Sequence, residues 1–562
     1  MFRTLILATA LLVPATVQAQ NVAGPYLAAR VAGFSNDYAV AARNFDRLLR
    51  RDDVPDAVLD NAIVVYSALG RFDRAAQAAT RLEEMGRPSR FGASAQMVDA
   101  LIKGEIGQAH DMLSGDEGVG GALLDGLLLG WIAMAEDDLD GARAAFDALA
   151  EQPGFDSFAH LHLAYALASA GEFEEAQGLL SGETEGPLNL TTRGVEAQAQ
   201  VLMQLDRSDD ALELLEQANA ATNSPILQDL QARIEAGEEI PWTFLPDARA
   251  GMAEAFFTLA AILAGETSAT FTLLNAQATI SLRPDHVDGL ILVGELFDSQ
   301  DQYALAAEVL RRVPANHPAF FGAEIARSEV LLSSEREEAA VEVLQGLTRD
   351  LPENANVWIA LGDTLRRLDR FEGAADAYNR AIDLQDEIEP RDWFLFYARG
   401  IAYERTDRFD LAEPDFRRAL ELNPDQPLVL NYLGYSLVEE RIKLDEALDM
   451  IERAVEARPD DGYITDSLGW VLYRLGRFEE AVAPMERAVQ LTPLDPLIND
   501  HLGDVLWMVG RKREARFQWR RALSLEPEEQ SEVERIRRKL DVGLDVVLEE
   551  EGGVGARETA QD

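Results

Sequence analysis

The sequence predicts an all-α solenoid of about fourteen helical hairpins closed by a C-terminal capping helix. Three observations carry this. A pattern returns with a period of about 34 residues, placing Leu-Gly pairs at Leu433-Gly434, Leu468-Gly469 and Leu502-Gly503. Small residues follow at fixed offsets, Ala447, Ala481 and Ala515, then Ala454, Ala488 and Ala522. Each copy closes on a proline, Pro459, Pro493 and Pro527. The glycine and alanines belong where the two helices of one hairpin cross. Leu, Tyr, Trp and Met fill the space between hairpins, because a helix of about a dozen residues is marginal alone.

In chain order, Met1 to Ala19 reads as a secretory leader: Arg3, the apolar run Thr4 to Val13, and the small-residue site Val17-Gln18-Ala19. The run is too short to span a bilayer, and no cysteine follows it to carry a lipid. The expectation is a soluble exported protein of a bacterial periplasm, not a lipoprotein.

Residues 22–225 form a divergent N-terminal arm. Ala41 and Phe45 mark its first hairpin, Leu69-Gly70-Arg71-Phe72 with Ala75 another, and Leu129-Gly130 with Ala142 and Phe146 a third. Ala109, Ala176 and Ala211 mark further second helices. The register then breaks over residues 226–252, where Pro241 and Pro246 interrupt helix and Trp242, Phe244 and Leu245 are unusually apolar. This reads as a long connector whose aromatics tuck against a neighbouring helix, or as a docking element between two arms.

The C-terminal arm, residues 253–527, holds the clearest copies. Leu290, Gly294 and Ala306, then Leu331 and Ala340, keep step. Trp358, Leu361, Gly362, Ala374 and Tyr378 open a good copy, and Phe396, Gly400, Ala412 and Phe416 another. Ser531 and Glu534 suggest a capping box for the helix of residues 528–548, whose apolar positions are Val533, Ile536, Leu540, Leu544 and Val547. Residues 549–562 read as a disordered tail.

The chain carries 99 Asp and Glu against 51 Lys and Arg, spread over nearly every helix. That argues against binding nucleic acid or anionic lipid, which need a basic surface. Two basic runs stand out, Arg511 to Arg521 and Arg535 to Lys539; they either dock an acidic partner or offset acidic helices beside them. Zero cysteines exclude disulfides and thiolate ligands. His160 and His162 lie two apart on a helix and point to different faces. The glycines at 115, 118, 120 and 121 read as a loose loop, and none of the nucleophile, zinc or phosphate-loop motifs occurs. The expectation is a non-enzyme with no cofactor and no metal.

The consecutive copies LGYSL, LGWVLYRLGRFEEA and LGDVLWMVGRKREA resemble the tetratricopeptide repeat family. The resemblance implies that the first helix of each hairpin lines a concave protein-binding surface. Carried onto this chain, the inward positions are Phe394, Tyr397, Asn431, Tyr435, Tyr463, Asp466, Trp470, Tyr473, Arg474, Asp500, Asp504 and Trp507. Aromatics beside amide and guanidinium groups suit binding hot spots; the alternative fate of such rings is packing between hairpins. The lysine-asparagine clamp of chaperone-binding members is matched only at Asn431. The last 170 or so residues are similar to exported bacterial repeat proteins that partner carboxyl-terminal processing proteases. That likeness implies a scaffold bringing cell-wall hydrolases to a PDZ-type processing protease. The alternative is a scaffold in envelope assembly, for polysaccharide or outer-membrane protein export.

Overall fold

The computed structural model describes residues 20–551, apart from 52, 116–117, 223, 266–268 and 386. Among these residues lie thirty-one α-helices and no strand. The expected leader (1–19) and most of the expected tail (552–562) fall outside them. Consecutive helices pair into fourteen hairpins, from Gln20–Phe34 with Tyr38–Leu48 to Pro496–Met508 with Lys512–Ser524. The helix Pro225–Glu235 stands outside this pairing, and Gln530–Val542 and Leu544–Glu550 end the chain.

The periodic glycines act through close approach. Gly434 faces Ile451, Gly469 faces Met485, Gly503 faces Trp519, Gly362 faces Tyr378 and Gly400 faces Phe416. At each, an added methyl would press into a large side chain of the hairpin's second helix. The paired alanines Ala447, Ala481 and Ala515 are 0% exposed. Tight turns join the two helices, with Gly476 and Gly510 left-handed and Asp369 and Asp407 taking the same conformation in earlier copies.

The chain forms two compact units, Met1–Val343 and Leu344–Asp562. The division therefore falls about ninety residues beyond the expected break at 226–252, and packing explains why. In the first unit the helices Ala248–Leu263 and Ala269–Leu282 fold back onto earlier hairpins. The former lies on Ala122–Ala135 and Asp156–Ala170, the latter on Asp56–Ala68 and Arg90–Lys103. Gly251 lets the fully buried Trp131 ring pass, and Phe91 meets Phe271 edge to face at 6.3 Å.

The 226–252 stretch is only half a connector. Residues Pro225–Glu235 form a helix started by proline, burying Leu227, Leu230 and Ile234 in one cluster with Ala211 and Leu215. Residues 237–247 carry no helix up to the Asp247 cap, and their aromatics are anchored. Phe244 and Leu245 are buried, Phe244 meets Tyr165 at 5.1 Å, and the Trp242 indole donates to the Leu245 carbonyl.

Two further expectations are corrected. The glycine loop is organised: Asp125 accepts from the amides of Val119, Gly120 and Gly121. The terminal helix begins at Gln530 with Glu529 as its cap and no capping box at Ser531 and Glu534. It also breaks at Gly543, whose φ of 93° no helix accommodates, so Leu544 and Val547 belong to a second short helix.

Candidate protein-binding groove

In both units several first helices of successive hairpins touch one another directly, such as Asp56–Ala68 with Arg90–Lys103 and Pro427–Glu439 with Gly462–Arg474, while the second helices do not approach comparably. The first helices therefore line the inside of each unit's curve. In the second unit these are Ala355–Arg367, Trp393–Glu404, Pro427–Glu439, Gly462–Arg474 and Pro496–Met508.

The twelve expected groove residues divide there into two sets. Phe394 and Tyr463 are 38% and 61% exposed, and Tyr397, Asn431, Tyr435 and Arg474 are half-buried. Tyr397 lies 6.0 Å from both Trp393 and Tyr432. Burial raises the Tyr435 hydroxyl, and the carboxylates of Glu439 and Asp466 beside it raise it further.

Asp466, Trp470, Tyr473, Asp500, Asp504 and Trp507 are buried. Their rings and carboxylates join neighbouring helices. Trp470 stacks on His501 at 4.0 Å and on Tyr473 at 4.8 Å, and its indole donates to Glu439. His501 sits 2.9 Å from Asp466. Burial alone would lower the His501 imidazole, but Asp466 outweighs it and raises the pKa, favouring the cation. Trp507 packs on Trp519 at 5.2 Å and under Gly543.

The acids at the end of the row are claimed by the chain itself. Lys539, 0% exposed, donates to Asp500 at 2.6 Å and to Asp504 at 2.7 Å. Arg535 lies 3.4 Å from Asp504, and the Trp519 indole donates to the same carboxylate. The basic runs offset acidic neighbours: Arg511 pairs with Glu486 and Glu514, Lys512 with Asp545, and Arg538 with Glu550.

Sequence reasoning passed over His501, and it set Lys539 in a basic run offsetting acidic neighbours without naming Asp500 and Asp504 as those neighbours, though a signal was present. Arg535 and Lys539 follow Asp500 and Asp504 by about one period, so continuing the register past Pro527 sets cations against the acids. It also passed over a network in the first unit. His162 accepts a hydrogen bond from the Trp131 indole N–H at Nδ1 and meets Thr258 through Nε2, at 2.9 and 3.0 Å. Arg193 grips Glu254 with two bonds at 2.8 and 2.6 Å and reaches Asp288 at 2.5 Å. These side chains seat Ala248–Leu263 against the inner face of the first unit, so that stretch of its curve is occupied by its own chain. No group of three or more metal-ligating side chains occurs among the described residues.

Comparisons with known proteins identify the repeat. The tetratricopeptide repeat model matches residues 26–90, 127–183, 325–387 and 440–496, and a second tetratricopeptide repeat model matches 393–426. A TPR repeat-containing protein of Pseudomonas aeruginosa is 28% identical over 187 residues, 33% of this chain and 31% of its own length. The general transcriptional corepressor ssn6 of Schizosaccharomyces pombe is 28% identical over 228 residues, 37% of this chain and 19% of its own. The chain thus spans less than a third of either relative. Among solved structures, the APC/C Cut9–Hcn1 hetero-tetramer aligns at TM-score 0.37 and 15% identity, covering 93% of this chain and 96% of that one. A tetratricopeptide repeat protein from Parabacteroides merdae aligns at 0.37 and 19%, covering 45% and 97%.

Proposed function

We infer that this chain, a protein of tetratricopeptide repeats, is a non-enzymatic adaptor that holds other proteins on the inner face of its second unit. The observation that carries this is the set of side chains left exposed or half-exposed on first helices there: Phe394 and Tyr463, then Tyr397, Asn431, Tyr435 and Arg474. Aromatic and guanidinium groups on a preformed helical face are the residue types that concentrate binding energy. In the first unit the corresponding face is partly filled by the helices Ala248–Leu263 and Ala269–Leu282, which supports assigning partner capture to the second.

The leader-like Met1 to Ala19 supports export to a periplasm, and no helix among the described residues is long and apolar enough to cross a membrane. Within that compartment we place the chain as a partner of a carboxyl-terminal processing protease, to which it brings cell-wall hydrolases. Holding protease and substrate together raises their effective concentration with no chemistry by the adaptor.

The test is crosslinking in cells followed by affinity purification, comparing the native chain with a Phe394→Ala/Tyr463→Ala variant. The reading expects a PDZ-type protease and wall hydrolases with the native chain, and at least about a tenfold loss in the variant, since a hot-spot truncation costs about 2 kcal/mol. Recovery of polysaccharide or outer-membrane export machinery would replace the protease reading with envelope assembly. Equal recovery by both chains would remove the groove.

A further inference from the structure

The one stretch where repeat register fails also builds a cleft. The helix Thr192–Gln204 forms its floor, Pro225–Glu235 and the 237–247 connector form one side, and residues 283–288 and 314–318 form the other. The space is about 500 Å³, within the size range of pockets that enclose a small ligand or a single side chain. A regular hairpin would have packed its second helix on the first and left no such gap.

The charges of the cleft are matched except at one point. Arg193 is held by Glu254 and Asp288, Arg233 by Asp229 and Glu238, and Arg283 lies 3.5 Å from Asp285. Two of the three guanidinium groups thus carry two carboxylates each. His286 accepts from the Gly289 amide at Nδ1 and meets Glu254 through Nε2, while His317 accepts from the Ala319 amide. Burial lowers the pKa of both imidazoles, so neither adds positive charge at neutral pH.

Glu196 is the exception. Among the described residues no cation lies within 4.0 Å of its carboxylate, and its single hydrogen bond is a long one from the Gln200 amide at 3.4 Å. The Gln200 oxygen is committed elsewhere, to the amides of Thr243 and Phe244. Burial pushes the Glu196 carboxyl up to about 7, against the more distant pull of Arg193 and Arg283 and with the push of Asp288 and Glu254. A carboxyl group left this way inside a cleft gains most from a cation that enters it. The neighbouring walls, Leu230, Ile240 and Pro241, are apolar and suit the methylene stem of a long basic side chain.

We propose that this cleft binds a lysine or arginine side chain of a partner protein, and that Glu196 receives its charged end. The proposal rests on the reading of the chain as a holder of proteins, but it uses the first unit, so it and the groove of the second unit can fail separately.

Isothermal titration of the full chain with acetyl-Ala-Lys-Ala-amide, its norleucine counterpart and cadaverine tests it. The lysine peptide should bind at pH 8 and the norleucine peptide at least about tenfold more weakly, because only the former brings a charge. Affinity should drop about tenfold at pH 6, where a group titrating near 7 is mostly protonated. Binding at pH 7 should release about half a proton, read from two buffers of different ionisation enthalpy without any variant. Glu196→Gln, with an unchanged melting curve, should lose the binding and its pH step. Equal binding of lysine and norleucine peptides, no binding of either, or an unaffected Glu196→Gln chain would overturn the proposal. Cadaverine binding as tightly as the peptide would overturn the assignment to a partner's side chain and point to free amines.

Discussion

Lys539 is fully buried among carboxylates, and its neighbours determine what its loss would do. Its ammonium meets Asp500 at 2.6 Å and Asp504 at 2.7 Å, and burial raises the Asp500 pKa, showing how poorly that acid tolerates charge without a partner. Replacing one member of a buried ion pair leaves the others uncompensated, at about 3–5 kcal/mol. Lys539→Met should therefore destabilise the second unit by about that amount in urea unfolding, far more than the exposed Lys512→Met. His162 gives a pH dependence of stated sign. Burial lowers its pKa from 6.5 to about 4, so between those values the unfolded chain binds a proton the folded chain refuses. Stability is then lost as pH falls from 6.5 towards 4, by roughly 3 kcal/mol for this group in full. His501 runs the other way: its raised pKa contributes stability present below 6.5 and lost as pH rises through its folded value. A series of urea transitions from pH 7 to 4 on the native chain and His162→Gln should show the variant with the shallower loss. At this scale the sequence was most legible where geometry admits one residue. Gly503 and Gly469 marked the helix crossings because nothing larger fits beside Trp519 and Met485. It was least legible where a side chain's role depends on a partner distant in sequence. Trp470 and Trp507 are spaced like groove residues, but their contacts with His501 and Trp519 bury them.

Among elements, the hairpins were readable from period alone and the departures were not. Steps of three and four residues reveal Pro225–Glu235 as a helix once Leu227, Leu230 and Ile234 are taken together, yet Pro241 and Pro246 drew the whole stretch towards a connector. The back-folding of Ala248–Leu263 left no periodic mark, because its face is apolar nearly all round, as a helix buried on two sides requires. This element makes a prediction. A chain ending at residue 247 loses the helices that cover Trp131, His162 and Arg193, exposing apolar surface and a buried guanidinium. Residues 20–247 should aggregate or bind a hydrophobic dye, whereas residues 20–343 should fold cooperatively. Equal stability of the two fragments by thermal unfolding and proteolysis would show that the helices Ala248–Leu263 and Ala269–Leu282 are an appendage and not the core of that unit.

For the whole molecule, the formal charge of −48 bears on which partners its surface attracts. Carboxylates spread over so many helices repel acidic surfaces and attract basic ones at long range, and short-range, shape-matched contacts add to that selection. The exposed aromatics of the second unit are the contacts proposed above for that role. The most direct measurement of this claim places a photo-crosslinking amino acid at Tyr463, at Tyr435 and, as a control, at Phe517 in cells producing the full chain. Phe517 is 62% exposed on a second helix, so exposure alone does not separate the positions. The account predicts that one shared set of proteins crosslinks at Tyr463 and Tyr435 and not at Phe517. Crosslinks concentrated at Phe517, with none at the first-helix positions, would contradict it and move the binding surface to the outside of the curve.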